Sequence, residues 1–365
     1  MKELFETTTI NGLQLANRLV RSATWEGMCD EKGRATQRLI DTYRDLARGG
    51  VGLLISGYTY VRRDGKQLPG QMGLVDDDDI AALRNLVDAV HAAGGKLCLQ
   101  LVHAGGQTTT PAAGDQPWAP SAVSVEQFPE KPQAIPFDDV PIFSAAFAAA
   151  ARRAREAGCD AIQLHGAHGY LINQFLSPRT NRRKDAYGGS RENRTRFLIE
   201  TYRAVRGAVG RDFPVLTKLN GSDNLAGGLT PEDALYVAQQ LDAEGIDAIE
   251  VSGGTPASGD QTPVRTGIAT PELEAYNLPL AGNLRPHLTC PLMTVGGIRS
   301  LEVARQALES VDYLAMARPL IREPQLPDRW RRGETHPARC TSCNGCFKPG
   351  IKEGGIRCVL EKAPA

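Results

Sequence analysis

Eight short apolar runs alternate with stretches of helical periodicity between residues 18 and 332, and this alternation constrains the fold more than any other feature. Parallel strands that are covered by helices on the outside read as continuous apolar runs. Eight such units in a chain of this length fit an α/β fold of the (β/α)8 TIM barrel type better than an open sheet. The predicted strands span residues 18–23, 51–55, 96–102, 160–164, 214–219, 248–251, 292–295 and 313–317.

Two flanking segments lie outside this repeat. Residues 5–15 contain an Asn11-Gly12 turn between two apolar runs, which predicts a short N-terminal hairpin. After residue 332 the repeat stops, and four of the eight cysteines crowd together. We therefore predict a barrel domain over residues 1–332 and a Cys-rich C-terminal extension over residues 333–365.

The composition bears on which kinds of partner the chain can bind. Lys and Arg together number 42, and so do Asp and Glu, so the charge balance gives no indication of binding to nucleic acid or to a membrane surface. The sequence opens without a basic, apolar leader and contains no apolar stretch of transmembrane length. We expect a cytoplasmic protein. In a reducing compartment, crowded cysteines indicate a metal or a cluster before disulfides.

The fourth predicted strand runs directly into a loop that carries two imidazoles and a phenol, at His165, His168 and Tyr170. The glycines between them let the backbone turn sharply and approach a ligand closely. Loops that follow the strands of a barrel gather on one face, so these side chains are expected near Gln100 and Lys218. The alternative at this point is that both histidines only bond to loop carbonyls.

Two loops near the end of the predicted barrel indicate a phosphate site. Gly296-Gly297 follow the seventh strand, and Ala317-Arg318 lie at the end of the eighth. Barrels commonly bind phosphate with these two loops, through backbone N–H groups, a helix N-terminus and here one cation. The alternative is a tight turn at the glycines and a surface ion pair at Arg318.

Five longer motifs follow one another along the predicted barrel. They are Asn17-Arg-Leu-Val-Arg-Ser-Ala23, Gln100-Leu-Val-His103, His165-Gly-Ala-His-Gly-Tyr170, Asp185-Ala-Tyr-Gly-Gly-Ser190 and Glu192-Asn-Arg194. In this order they resemble the motifs of the old yellow enzyme family, whose members are flavin-dependent ene-reductases. The likeness runs from about residue 4 to residue 332 and implies a (β/α)8 barrel that holds FMN non-covalently at the C-terminal face of its strands.

The resemblance implies a set of FMN contacts at matching positions. Lys218 stands where the family usually places an Arg against the flavin N1, and its charge is expected to stabilise the reduced flavin. Trp25 stands where relatives often carry Cys or Thr, so Thr24 is expected to supply that contact. The implied cofactor residues are Ser22, Ala23, Thr24, Trp25, Gly57, Gln100, Lys218, Gly296, Gly297, Ala317 and Arg318.

The resemblance also implies a reaction in two halves. NADH or NADPH reduces the flavin, and an activated alkene then binds with its electron-withdrawing oxygen between His165 and His168. Flavin N5 delivers hydride to the alkene, and Tyr170 gives a proton to the α-carbon. A phenol with a pKa of about 10 stays protonated at neutral pH, as a general acid requires.

The extension carries the spacing Cys340-x2-Cys343-x2-Cys346-x11-Cys358, which is a strong signal for a metal or cluster site. The spacing is similar to the [4Fe–4S] segment of the longer relatives trimethylamine dehydrogenase and 2,4-dienoyl-CoA reductase. Zinc in a tetrahedron of four thiolates and four idle thiols are the alternatives. We expect such a cluster to exchange electrons with another protein or to be a structural relic.

Three functions remain open from the sequence. The first is an NAD(P)H-dependent FMN ene-reductase that acts on α,β-unsaturated carbonyl compounds. The second is amine dehydrogenation with electrons leaving through the cluster, and the third is an electron-transfer subunit whose partner carries out the substrate chemistry. The His/His/Tyr set favours the first, because a relay needs no proton donor. We expect a small-molecule substrate, a nicotinamide donor and a homo-oligomer.

Overall fold

The computed structural model describes residues 2–128 and 130–361. It begins with the predicted hairpin, in which Thr8–Ile10 pairs antiparallel with Leu13–Leu15. Asn11 and Gly12 connect the two strands with φ angles of 41° and 76°. Positive φ at both positions is what a tight two-residue hairpin turn requires, and Asn-Gly supplies it at low cost.

Eight parallel strands follow and form a closed barrel, which confirms the predicted fold. The ring closes where Leu54 pairs with Leu97, between the second and third strands. A short strand, Thr59–Tyr60, extends the sheet beside the end of the third strand. The barrel strands are β1 (Leu19–Arg21), β2 (Leu53–Ile55), β3 (Leu97–Val102), β4 (Ala161–Gly166), β5 (Val215–Asn220), β6 (Ala248–Ser252), β7 (Leu292–Val295) and β8 (Tyr313–Met316).

Helices alternate with the barrel strands, as the periodicity predicts. Shorter helices also lie in the loops and in the extension, such as Leu171–Leu176, Leu278–Leu284 and Phe347–Lys352, and the chain after β8 forms two short helices, Arg318–Arg322 and Leu326–Arg331. Pro319 and Pro327 each stand in a first turn, where proline starts a helix and does not continue one. The helices are Gln37–Arg48, Asp79–Ala92, Thr110–Ala113, Val140–Ala157, Leu171–Leu176, Arg191–Val209, Pro231–Ala243, Leu278–Leu284, Leu301–Ala307, Arg318–Arg322, Leu326–Arg331 and Phe347–Lys352.

The hairpin closes the N-terminal end of the barrel. Ile10 and Leu15 are buried in one cluster with side chains of the barrel interior, such as Leu216. The Asn11 amide donates to the Arg211 carbonyl, which lies just before β5 begins. Because this end is filled, the opposite mouth, where the strands end, is left for a ligand.

The Cys-rich extension packs against the barrel. The Ala338 N–H donates to the Arg299 carbonyl at 2.8 Å, and the Ile356 N–H donates to the Glu26 carbonyl at 2.8 Å. Ala338 and Ile356 are buried in the same apolar cluster as the outer face of the barrel. Among the described residues, no helix has both the length and the apolar character needed to cross a membrane.

Candidate functional site

A cavity of about 300 Å³ opens at the C-terminal mouth of the barrel. Its walls come from the segments that follow the barrel strands and from the extension. Predicted site residues that are hundreds of positions apart meet there, as barrel closure requires. Those that line the cavity are Ser22, Ala23, Thr24, Trp25, Gln100, His165, His168, Tyr170, Lys218, Gly296, Gly297, Ala317 and Arg318.

Gly57 is the predicted cofactor residue that lies outside this lining. Its N–H donates to the Tyr43 hydroxyl at 2.9 Å. A Cβ at this position would lie 2.2 Å from Glu26 Oε2. The structure therefore gives Gly57 a packing reason, which is its close approach to a buried carboxylate, and its contact with FMN stays a prediction.

His165 lies near the end of β4 and presents one ring nitrogen to the cavity. Its Nδ1 accepts from the Ala167 N–H at 3.3 Å, so the proton of the neutral ring is on Nε2. Burial, with smaller contributions from His168 and Lys218, holds the pKa of His165 well below its usual range. The neutral imidazole is thus a hydrogen-bond donor without a charge.

His168 stands beside His165, with ring centroids 5.1 Å apart and planes at 81°. Its backbone has a φ of 62°, and its N–H donates to Asn220 Oδ1 at 3.2 Å. The ring Nε2 lies 2.7 Å from Ser252 Oγ. Burial and the Lys218 charge hold the pKa of His168 well below its usual range as well.

Tyr170 completes this wall, with its ring centroid 4.7 Å from that of His165. Its hydroxyl donates to Gln67 Oε1 at 2.9 Å, and the Tyr58 hydroxyl donates to the same oxygen at 2.8 Å. Burial raises the pKa of Tyr170 to about 12. The sequence did not indicate that Tyr58 and Gln67 belong to the site. Both lie in a glycine-containing loop, and the path of such a loop cannot be predicted from its sequence.

The floor of the cavity is a chain of buried polar side chains. Lys218 Nζ lies 2.9 Å from Glu250 Oε1 and donates to Ser22 Oγ at 2.8 Å. Glu250 accepts from Gln163 Nε2 at 2.8 Å, and Gln163 Oε1 accepts from Gln100 Nε2 at 2.6 Å. Gln100 Oε1 is buried and has no partner within the described part of the chain. An acceptor left without a partner in a cavity wall fits a ligand N–H, such as that of a flavin pyrimidine ring.

The opposite end of the cavity combines glycines with arginines. A Cβ on Gly296, whose φ is 146°, would lie 2.7 Å from the Tyr276 ring. Arg299 also lines this end, and its buried Nε has no partner among the described residues. Arg318 donates to the Arg265 carbonyl at 2.7 Å. Two guanidinium groups beside a glycine turn fit a phosphate. Arg299 was not predicted, although a cation directly after Gly-Gly-Ile is a signal that could have indicated it.

The extension reaches this same end. Its four predicted cysteine ligands, Cys340, Cys343, Cys346 and Cys358, line one small pocket, and Arg318 lines both that pocket and the cavity. Burial raises the pKa of Cys346 to about 11. Within residues 2–128 and 130–361, no three His, Cys, Asp or Glu side chains are set to hold a single metal ion. The metal site therefore stays a prediction.

A family model described as the NADH:flavin oxidoreductase / NADH oxidase family matches residues 3–336. The match covers the whole barrel, and the chain therefore belongs to this family. It is one of the old yellow enzymes, as its structural relatives indicate. The old yellow enzyme homologue from Zymomonas mobilis superposes with a TM-score of 0.79 and 26% identity, covering 96% of this chain and 98% of that one.

Two longer proteins are also similar. The NADH oxidase of Thermoanaerobacter brockii is 38% identical over 98% of this chain and 55% of its own length. A 2-naphthoyl-CoA reductase in complex with 2-naphthoyl-CoA superposes with a TM-score of 0.90 and 29% identity, over 98% of this chain and 56% of that one. The chain therefore spans about half the length of these relatives.

Proposed function

We propose that the protein is an FMN-dependent NAD(P)H oxidoreductase that reduces activated C=C bonds, such as those of α,β-unsaturated carbonyl compounds. One observation carries this proposal. His165, His168 and Tyr170 share one wall of the cavity, and Gln100 and Lys218 provide an acceptor and a cation in the floor. Two neutral donors and a phenol beside a flavin site suit the reduction of a polarised alkene.

The cavity residues fit FMN from one end to the other. Gln100 Oε1 would accept from the ring N–H, and Lys218 would lie beside the ring edge where negative charge develops on reduction. Arg299, Arg318 and the backbone of Gly296-Gly297 would hold the phosphate. Bound FMN, reduced by NADH or NADPH, would supply the hydride.

The histidine pair would bind the oxygen of the substrate. His165 Nε2–H and a ring N–H of His168 are donors without charge, and both are preorganised by loop hydrogen bonds. Preorganised donors stabilise the negative charge that develops on this oxygen. Tyr170 would then give a proton to the α-carbon, and a pKa of about 12 keeps it protonated across the neutral and mildly alkaline range.

The test separates the two half-reactions. Tyr170→Phe should reduce the rate of cyclohexenone reduction by roughly 10²–10⁴-fold, the usual contribution of a general acid, and leave flavin reduction by NAD(P)H nearly intact. Stopped-flow absorbance of the flavin measures both rates. Tyr236→Phe, on the outer helix Pro231–Ala243, is the matched control.

Equal loss in both half-reactions would contradict the role of Tyr170. Absence of any enone-dependent NAD(P)H oxidation by the wild-type holoenzyme would contradict the proposed substrate class. Turnover with an amine and an artificial acceptor would favour the amine dehydrogenase alternative.

We propose also that the extension holds a [4Fe–4S] cluster through Cys340, Cys343, Cys346 and Cys358, with zinc as the alternative. The convergence of the four thiols on one pocket, which shares Arg318 with the cavity, supports this. Such a cluster would offer electrons a route to a partner protein. Iron and acid-labile sulfide, at about four of each per chain, should be found in protein purified without oxygen and lost in Cys343→Ser. Stoichiometric zinc without sulfide would favour the alternative.

A further inference from the structure

The Glu250 carboxylate is fully buried just beneath the floor of the cavity and does not line it. It connects the Lys218–Ser22 pair with Gln100, and all three of these residues line the cavity. On one side lie Lys218 and Ser22, and the Ser22 hydroxyl donates to Glu250 Oε1 at 2.7 Å. On the other side Gln163 connects Glu250 to Gln100. Five strands or strand ends thus contribute to one hydrogen-bonded chain.

The carboxylate determines the direction of every bond on the Gln100 side. An ionised carboxylate only accepts, so Gln163 must turn its Nε2 towards Glu250. The Oε1 of Gln163 therefore faces Gln100, which must donate with its own Nε2. The Gln100 side chain therefore turns its Oε1 towards the cavity. This oxygen is the buried acceptor that has no partner in the described chain.

We propose that Glu250 is a positioning residue that fixes the hydrogen-bond polarity of the flavin site. Through Gln163 it forces Gln100 to present an acceptor, and through its ion pair it compensates the Lys218 charge. The site then presents an acceptor to a ring N–H and a compensated cation to the reducible ring edge. This inference rests on the FMN binding proposed above and is independent of which alkene is reduced.

Replacing the carboxylate by an amide should invert the chain. In Glu250→Gln the new carbonyl is attracted to the Lys218 ammonium, so the new NH2 faces Gln163. Gln163 and then Gln100 must both flip, and Gln100 turns an N–H towards the ring N–H. A donor facing a donor leaves both unsatisfied, which costs about 1–3 kcal/mol and weakens FMN binding roughly tenfold or more.

The double variant E250Q/Q163E moves the carboxylate one position along the chain at constant net charge. At its new place it still accepts from Gln100 Nε2, and it accepts from the amide at position 250. Gln100 again presents its oxygen, so FMN affinity should return to within about threefold of wild type while E250Q alone stays roughly tenfold weaker. Titration of the apoprotein with FMN, followed by flavin fluorescence, measures both.

The midpoint potential of bound FMN is the second measurement, because a loss of packing alone would not shift it in a fixed direction. E250Q leaves the Lys218 charge uncompensated, so the potential should become more positive than in wild type. Wild-type affinity and potential in E250Q would overturn the proposal. Equal loss of affinity in E250Q and E250Q/Q163E would also overturn it.

Should E250Q fail to fold, Gln163→Met tests the same chain with the ion pair intact. It should weaken FMN binding and leave the potential unchanged, whereas unchanged binding would overturn the proposal. Thermal unfolding of each apoprotein reports folding separately. A wild-type protein that binds FMN but does not reduce enones would refute the proposed function and leave this inference standing.

Discussion

At the level of single residues, the site depends on imidazoles that stay neutral. His103, His165 and His168 are each held at a lowered pKa, with burial as the largest cause. A lowered histidine pKa is not by itself a sign of a ligand contact, because His103 has one and hydrogen-bonds to Asp64 in the loop at residues 57–71. Neutrality nevertheless suits the pair at 165 and 168, which can donate hydrogen bonds without adding charge beside Lys218.

Neutral buried histidines predict acid sensitivity. Their folded pKa lies below the unfolded value of about 6.5, so the unfolded chain takes up protons first as the pH falls. Their contribution is therefore fully present above about pH 6.5 and is lost below it, at up to about 1.4 kcal/mol per pH unit for each group.

Urea unfolding at several pH values measures this loss. His168→Asn removes one titrating group, so the free energy of unfolding should fall less steeply with acid than in wild type. Equal slopes in the two proteins between about pH 6.5 and pH 5 would contradict the lowered pKa.

Among the secondary-structure elements, the turn after β4 brings the two histidines and Tyr170 together. Gly169 sits between them with a φ of 80°, and a Cβ there would lie 2.0 Å from Gln107 Nε2. Gln107 in turn donates to the His168 carbonyl at 2.8 Å, which holds the loop from behind. The turn thus needs glycine for two reasons, its φ and the close approach.

Gly169→Ala and Gly189→Ala separate these reasons. Gly189 has a φ of 79°, and a Cβ added there would meet no described atom within 4 Å. Its substitution should therefore cost only the left-handed strain, about 1–2 kcal/mol. Gly169→Ala should cost more, because Gln107 must also move, and should slow enone reduction. Equal unfolding free energies in the two variants would contradict a role for the close approach.

The strands and helices were predictable because their periodicity is local, whereas the floor of the site was not. Gln163 and Glu250 interrupt apolar strands, at Ala-Ile-Gln-Leu and Ala-Ile-Glu-Val. A polar residue inside a buried strand indicates a hydrogen bond in the barrel interior, because a buried polar group needs a partner. Which partner it finds depends on strand register, and short apolar runs do not fix register to the residue.

In the molecule as a whole, the extension completes the cavity. Ser342 and Phe347 line it, and the Trp25 ring lies between the barrel and Gly350. A Cβ on Gly350 would lie 2.7 Å from Trp25 Cζ3 and 2.9 Å from Ile356 Cγ2. The position of the extension therefore depends on this contact.

Gly350→Ala should loosen the extension and weaken FMN binding, because the cavity loses part of its wall. Limited proteolysis should cut the extension faster, and the dissociation constant of FMN should rise. Gly207→Ala, in the helix Arg191–Val209 with open space around the added methyl in the described chain, is the control and should be neutral or stabilising. Unchanged proteolysis and FMN affinity in Gly350→Ala would contradict the idea that the position of the extension affects FMN binding.

The barrel strands, the hairpin, the His165/His168/Tyr170 loop and the crowding of cysteines depend on residues that are neighbours in the chain, so the sequence by itself predicts all four. Other relations arise on folding, because they join residues far apart in the chain. Gln67 joins two phenols, Glu250 directs Gln100, Gly57 packs against Glu26, and Arg318 borders both pockets. Their geometry depends on register and loop path, which are set by closing the barrel and not by local preference.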